Sequence, residues 1–190
     1  MNAPVLQRGG LMIEVLITIV IAAFGLLGIA GLQAKMQLAE MESYQRSHAM
    51  LLVRHIADRV NANRKNAMDY VTPEPLGTDK GLLDCTGESG AALDLCEWSN
   101  LLAGAAESVA GQQRGAMIGA RGCVINNEPI MPRRFTVAVV WQGLTPTVAP
   151  SSTDCAAGSY GDARARRAIV ASITVGCLQN DVNTGLCVTP

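Results

Sequence analysis

An apolar run from Leu11 to Leu32, in which Glu14 is the only charged residue, constrains this chain more than any other feature. Its 22 residues, rising about 1.5 Å each, extend roughly 33 Å as a helix, which matches the hydrocarbon thickness of a bilayer. The short polar segment before it, MNAPVLQRG, carries Arg8 as its single charge. Positive charge ahead of a membrane helix stays on the cytoplasmic side, so the rest of the chain is expected to face outward. Glu14 is costly in such a helix, about 2.5 to 3.5 kcal/mol near the bilayer centre, and a simple anchor would omit it. It lies four residues after Gly10, one turn into a helix that starts there. If the chain is cut before Gly10, the amine freed on a neighbouring subunit can neutralise it. The other reading is a carboxylate near the headgroups that stays solvated.

Past Lys35 the same helix turns amphipathic. Met41, Ala49, Leu52, Ile56 and Val60 fall near one stripe, and Glu40, Glu42, Arg46, Arg54, Asp58 and Arg59 cover other faces. From Leu11 to about Asn63 the helix holds some 53 residues and reaches roughly 80 Å, far longer than a globular helix. Gly25, Gly28 and Gly31 are its weak place, since each glycine costs about 1 kcal/mol relative to Ala. They are either a site of local unwinding or a close-packing face between helices. The run Asn61–Asn66, followed by Pro73 and Pro75, ends the helix and opens a loop to about Asp84.

A single small α+β head is expected beyond this point. Asp94–Ala106 reads as a helix with Leu95, Trp98, Leu101 and Leu102 on one side, Trp98 being core. The Gly- and Ala-rich stretch from Gly104 to Gly122 has little periodicity and reads as a loop with room for local helix. RFTVAVVW, Arg134–Trp141, alternates around Phe135, Val137, Val139 and Trp141, and Ala168–Cys177 is rich in β-branched residues. The two predict an antiparallel pair, joined by a shorter strand at Gly122–Asn126 in a sheet of three or four strands packed on the long helix. The segment from Thr145 to Ala163, with Pro146, Pro150 and Cys155, is expected to be exposed.

Aromatic residues make up only 4% of the chain and much of the aliphatic content sits in the N-terminal run, so the head core is thin. Six cysteines, Cys85, Cys96, Cys123, Cys155, Cys177 and Cys187, all lie beyond that run and none forms a C-x-x-C pair, which argues against zinc. An even count fits an oxidising compartment where disulfides compensate for a small core. Joining Cys85 to Cys96, Cys177 to Cys187 and Cys123 to Cys155 is one of 15 possible pairings, with buried free thiols as the alternative.

No catalytic constellation emerges, and no enzyme activity, metal or cofactor is expected. His48 and His55 are seven residues apart, about 10 Å along a helix, too far for one metal. Gly87-Glu88-Ser89-Gly90 is not a nucleophile elbow, and no phosphate-binding glycine loop occurs. A net charge of −1 gives no drive toward nucleic acid. Arg164, Arg166 and Arg167, with Arg133 and Arg134, read as charge protecting a solvated strand edge, or as a basic patch.

RGGLMIEVLITIVIAAFGLLGIAGLQ resembles the leader and helix start of the type IV prepilins, although Gly10 stands where Phe is common and Leu11 where a small polar residue is common. GLLGIAGLQ, YQRSHAMLLVRHIADRVNANR and DLCEWSNLL together resemble the PilV family of minor pilins. The resemblance implies the type IV pilin fold, with residues 1–9 as leader, 10–34 as the membrane or filament-core half of the helix, 35–66 as its amphipathic half and 67–190 as the extracytoplasmic head. It further implies cleavage between Gly9 and Gly10 and N-methylation of Gly10 by a prepilin peptidase, with Glu14 guiding assembly. The implied partners are other minor pilins and the major pilin through N-terminal helices, first in the inner membrane with a periplasmic head and then in the pilus. Two alternatives stay open. One is a minor pseudopilin of type II secretion. The other is a secreted disulfide-bonded binding protein whose signal peptide ends near Ala30 or Ala34, against which the length of the run and Glu14 both argue.

Overall fold

The computed structural model describes residues 10–104, 108–109, 112–113, 117–128, 133–177, 179–180 and 187–189. The chain divides into two units, Met1–Met41 and Glu42–Pro190. Helix α1, Gly10–Ala62, begins in the first and ends in the second. It is unbroken at Gly25, Gly28 and Gly31, each with open space beside it. After it come a 3-10 segment at Arg64–Tyr70, the two-residue strand β1 at Leu76–Gly77, a 3-10 turn at Thr78–Lys80 and helix α2 at Gly90–Leu102. The strands that follow are β2, Ser108–Val109; β3, Gln112–Gln113; β4, Ile118–Asn126; β5, Arg133–Gln142; β6, Arg166–Val175; β7, Gln179–Asn180; and β8, Cys187–Thr189.

The second unit is an α+β head. Its sheet has the order β1-β4-β5-β6 and every pairing is antiparallel. β5 and β6 match residue for residue from Arg133 opposite Val175 to Gln142 opposite Arg166. Phe135, Val137, Val139 and Trp141 point from β5 into a core shared with Ala49, Val53, Ile56 and Val60 of α1 and with Trp98 of α2. Met41, expected on that stripe, is instead 54% exposed. The alternate β5 residues, Ala138 and Val140, are buried too, in a second cluster with Cys123, Cys155 and Ala156. Because both faces are covered, β5 reads as the near-continuous apolar run VAVV.

That second cover corrects an expectation. The connection between β5 and β6 is not an exposed loop throughout, since Thr153, Cys155 and Ala156 are buried. The Cys123–Cys155 disulfide and two donations from Arg166, to the carbonyls of Cys155 at 2.8 Å and Pro150 at 3.0 Å, hold it against the sheet. Arg167 donates to Glu42 of α1 at 2.9 Å and to the carbonyl of Thr145. Arg166 and Arg167 are therefore buried pins, neither a basic patch nor a solvated edge. Arg164 pairs with Asp162 and Arg134 with Glu128.

Three boundaries also move. α2 spans Gly90–Leu102 where Asp94–Ala106 was expected, and Asp94 serves as a buried acceptor for Arg59 and for the Tyr70 hydroxyl. The loop before Asp84 contains β1, which pairs with Gly122 and Arg121 of β4. In the stretch from Gly104 to Gly122 the described residues form β2, β3 and the start of β4, with no helix among them. β4 carries a bulge between Ile118 and Arg121, where Gly119 adopts φ +60° and its carbonyl accepts from the Tyr160 hydroxyl at 2.8 Å.

Candidate functional site

α1 begins at Gly10, and its first turns are almost wholly aliphatic. Fifteen large apolar side chains between Met12 and Leu38 are each at least 47% exposed, with Met12 at 74% and Phe24 at 72%. Among the described residues this is one helix long and apolar enough to cross a membrane. Surface of this kind is not left in water by a soluble protein. Burying those side chains in lipid or against other helices is worth on the order of 20 kcal/mol at the usual gain per apolar side chain.

Two polar groups interrupt the run. The Thr18 hydroxyl donates to the carbonyl of Val15 at 2.8 Å, so it is satisfied within the helix. Glu14 is exposed and has no partner among the described residues. It lies one turn after Gly10, in the region where free backbone N–H groups and the helix dipole favour an anion. Gly9 lies outside the described residues, so the expected cut between Gly9 and Gly10 falls at the edge of what the structure describes.

Glu14, Ile21 and Gly28 are seven residues apart, and Thr18, Gly25 and Leu32 fall between and after them at the same spacing. A helix with 3.6 residues per turn puts both series on one stripe. The unpaired acid and two of the three glycines therefore share a face. The large residues beside that face, among them Ile17, Phe24 and Ile29, are apolar, and nothing lies within 4 Å of where a Cβ would sit at Gly25 or Gly28. Such a face can admit another helix closely and offers it a carboxylate at one end.

In the head, two expected disulfides form. Cys85 bonds Cys96 with the Cα atoms 5.8 Å apart, and Cys123 bonds Cys155 at 5.9 Å. Cys177 is disulfide-bonded, but the side chain of its expected partner, Cys187, lies outside the described residues. His48 and His55 are half-buried on α1, with the Tyr44 ring stacked on His48 at 6.4 Å between centroids. Among the described residues no group of three or more His, Cys, Asp and Glu side chains comes together as a metal site.

Several of the head's charged groups form internal ties. Arg59 and the Tyr70 hydroxyl converge on Asp94, joining α1, the 3-10 segment and α2. Burial raises the Tyr70 phenol above its ordinary pKa, and its hydrogen bond to Asp94 adds to the shift. Arg121 grips Asp79 with two nitrogens and lies over the Tyr160 ring, 4.8 Å from its centroid. The Arg121 hydrogen bond holds the Asp79 carboxyl below its usual range. Burial raises the Tyr160 phenol, against the opposing pull of Arg121.

Comparison with known proteins finds no family model, no curated protein and no solved structure that matches this chain.

Proposed function

We propose that this chain is a minor pilin of the PilV type, which joins other minor pilins in a complex that initiates type IV pilus assembly and sits at the pilus tip. The observation that carries the reading is the unpartnered Glu14, one turn into an otherwise aliphatic and exposed helix. An acid in such a helix is tolerated where a neighbouring chain supplies a cation, and the amine of a subunit beginning at Gly10 is that cation. The helix resides in the inner membrane with the head in the periplasm. It leaves lipid for a bundle of like helices when the filament grows. Disulfides in the head fit this oxidising compartment. No enzymatic role is proposed.

A minor pseudopilin of type II secretion is the second reading, because Glu14 and the apolar helix would serve it equally. Loss of twitching on deletion supports the pilus, and loss of protein export supports the secretion system. Mass spectrometry of the mature chain tests both at once. The expected N-terminus is an N-methylated Gly10. An intact Met1, or a chain beginning near Gly31 or Lys35, would overturn the proposal, the latter in favour of a secreted protein.

A further inference from the structure

Two open clefts flank the Thr72–Pro73 segment of the head. The first, about 380 Å³, is lined by Val71, Leu76, Leu83 and Leu95, with Asp84 and Glu88 among its walls. The second, about 470 Å³, is lined by Ile125, Ala156 and the Cys123–Cys155 bridge, with Glu74 and Asp154. Each therefore combines an apolar lining with two carboxylates, and neither is lined by a Lys, Arg or His.

The surface is braced in advance of any ligand. The N–H of Thr72 donates to the carbonyl of Val124 at 3.0 Å, and the Thr72 hydroxyl accepts from the Val124 N–H at 3.0 Å, so the ridge between the clefts is bolted to β4. Cys96, bonded to Cys85, lines one cleft, and the second disulfide lines the other. The carboxylates are not equivalent. Glu74 already pairs with Lys80 at 2.8 Å, and Asp84 accepts from the Thr86 N–H at 3.0 Å. Glu88 and Asp154 are exposed and take part in no ion pair among the described residues. Two acids outside any ion pair thus stand in the first cleft, Asp84 and Glu88, and one stands in the second, Asp154.

We propose that this face binds an extended, basic peptide segment of a partner protein, which crosses the Thr72–Pro73 ridge and lays an Arg or Lys side chain into each cleft. The chemistry selects that occupant. Arg and Lys have aliphatic stems that cover apolar surface and cationic heads that remain at its edge, which the lining and the free carboxylates match. The negative charge repels nucleic acid and anionic lipid. An extended chain places alternate side chains on one face at about 7 Å intervals, so one strand can reach both sides of a narrow ridge. This binding is independent of the assembly reading, because it is measured in vitro whether or not the chain enters a filament.

The test uses the full-length protein in nanodiscs of zwitterionic lipid and a fluorescein-labelled octapeptide of alternating Leu and Arg, followed by fluorescence anisotropy. The peptide is expected to bind saturably, with a Kd that rises several-fold as salt increases from about 50 to about 300 mM. The Glu88→Gln/Asp154→Asn double variant, altered only at exposed positions, is expected to weaken binding about tenfold. Ala92→Trp, which fills the first cleft from the exposed face of α2, is expected to weaken it independently of charge. Circular dichroism and intact disulfides confirm that the variants fold. Binding no greater than to empty nanodiscs, equal binding of a Leu/Glu octapeptide, or wild-type affinity in the double variant would each overturn the proposal. Self-association that the double variant abolishes, without peptide binding, would overturn it in favour of a second copy of this chain.

Discussion

The indole N–H of Trp98 donates to the backbone carbonyl of Leu52 at 3.0 Å, joining α2 to the middle of the head-forming part of α1. Trp98 is fully buried, and its ring and the Leu102 side chain occupy the space where a Cβ at Gly122 would fall, 2.3 and 2.7 Å away. Helix α1, helix α2 and strand β4 thus meet at one side chain.

Trp98→Phe removes the donor and leaves a small void, and is expected to destabilise the head by about 2 kcal/mol. Gly122→Ala forces the ring to shift and is expected to cost roughly 1 to 3 kcal/mol. Thermal unfolding followed by near-ultraviolet circular dichroism measures both. A double variant whose loss is clearly smaller than the sum of the two is expected, because the residues touch.

Glu14→Leu is expected to leave the protein in the membrane with a folded head and an unchanged melting curve, because Glu14 makes no contact within the described chain. Surface piliation should fall sharply in the same strain. Normal piliation would separate Glu14 from assembly.

The two described disulfides close loops of different length, with sequence separations of 32 and 11. Chain-entropy bookkeeping assigns about 4 kcal/mol to Cys123–Cys155 and about 3 kcal/mol to Cys85–Cys96. Cys123→Ala/Cys155→Ala should therefore destabilise more in urea titration. It should also expose the segment around Ala156 to proteolysis, since that bridge holds the cover over the second face of the sheet.

Alkaline pH should unfold the head through two of its tyrosines. The Tyr70 and Tyr160 phenols have folded pKa values raised by burial, so their contribution is complete below the unfolded value of about 10 and is lost as pH climbs through the folded values. Absorbance titration near 295 nm should find these two groups ionising late and together with loss of circular dichroism. Tyr70→Phe should remove its share of that dependence. Asp79 acts in the opposite direction. Its folded pKa is lowered, so its smaller, solvent-screened contribution is present above about 3.9 and is lost as acid passes the folded value.

Several of these features are legible along the chain. The apolar run and the 3.6-residue stripe of Ala49, Leu52, Ile56 and Val60 declare α1, and the alternation of Phe135, Val137, Val139 and Trp141 declares β5, because each period aims side chains at one face. Glu14 stands out because a charge amid aliphatic residues breaks the local pattern. Other features are silent. Leu76–Gly77 has no strand period and lies just after Pro75. It becomes β1 because β4 presents a free edge and because Gly77 adopts φ +113°, where the carbonyl of Ala120 would lie 2.5 Å from a Cβ.

Asp94 invites placement at a helix start, since acids favour the first turn, yet α2 begins four residues earlier and the carboxylate turns inward to Arg59 and Tyr70. Arg166 and Arg167 look like surface charge until their acceptors are known, and besides the nearby carbonyl of Arg164 those acceptors come from residues 42, 145, 150 and 155. The sequence alone determined the elements whose side chains repeat with a local period, and the acid that violates that period. Only the tertiary structure decided which polar groups are buried, which face of the sheet has a cover and where the acidic clefts open, because each depends on partners many residues away that no local pattern encodes.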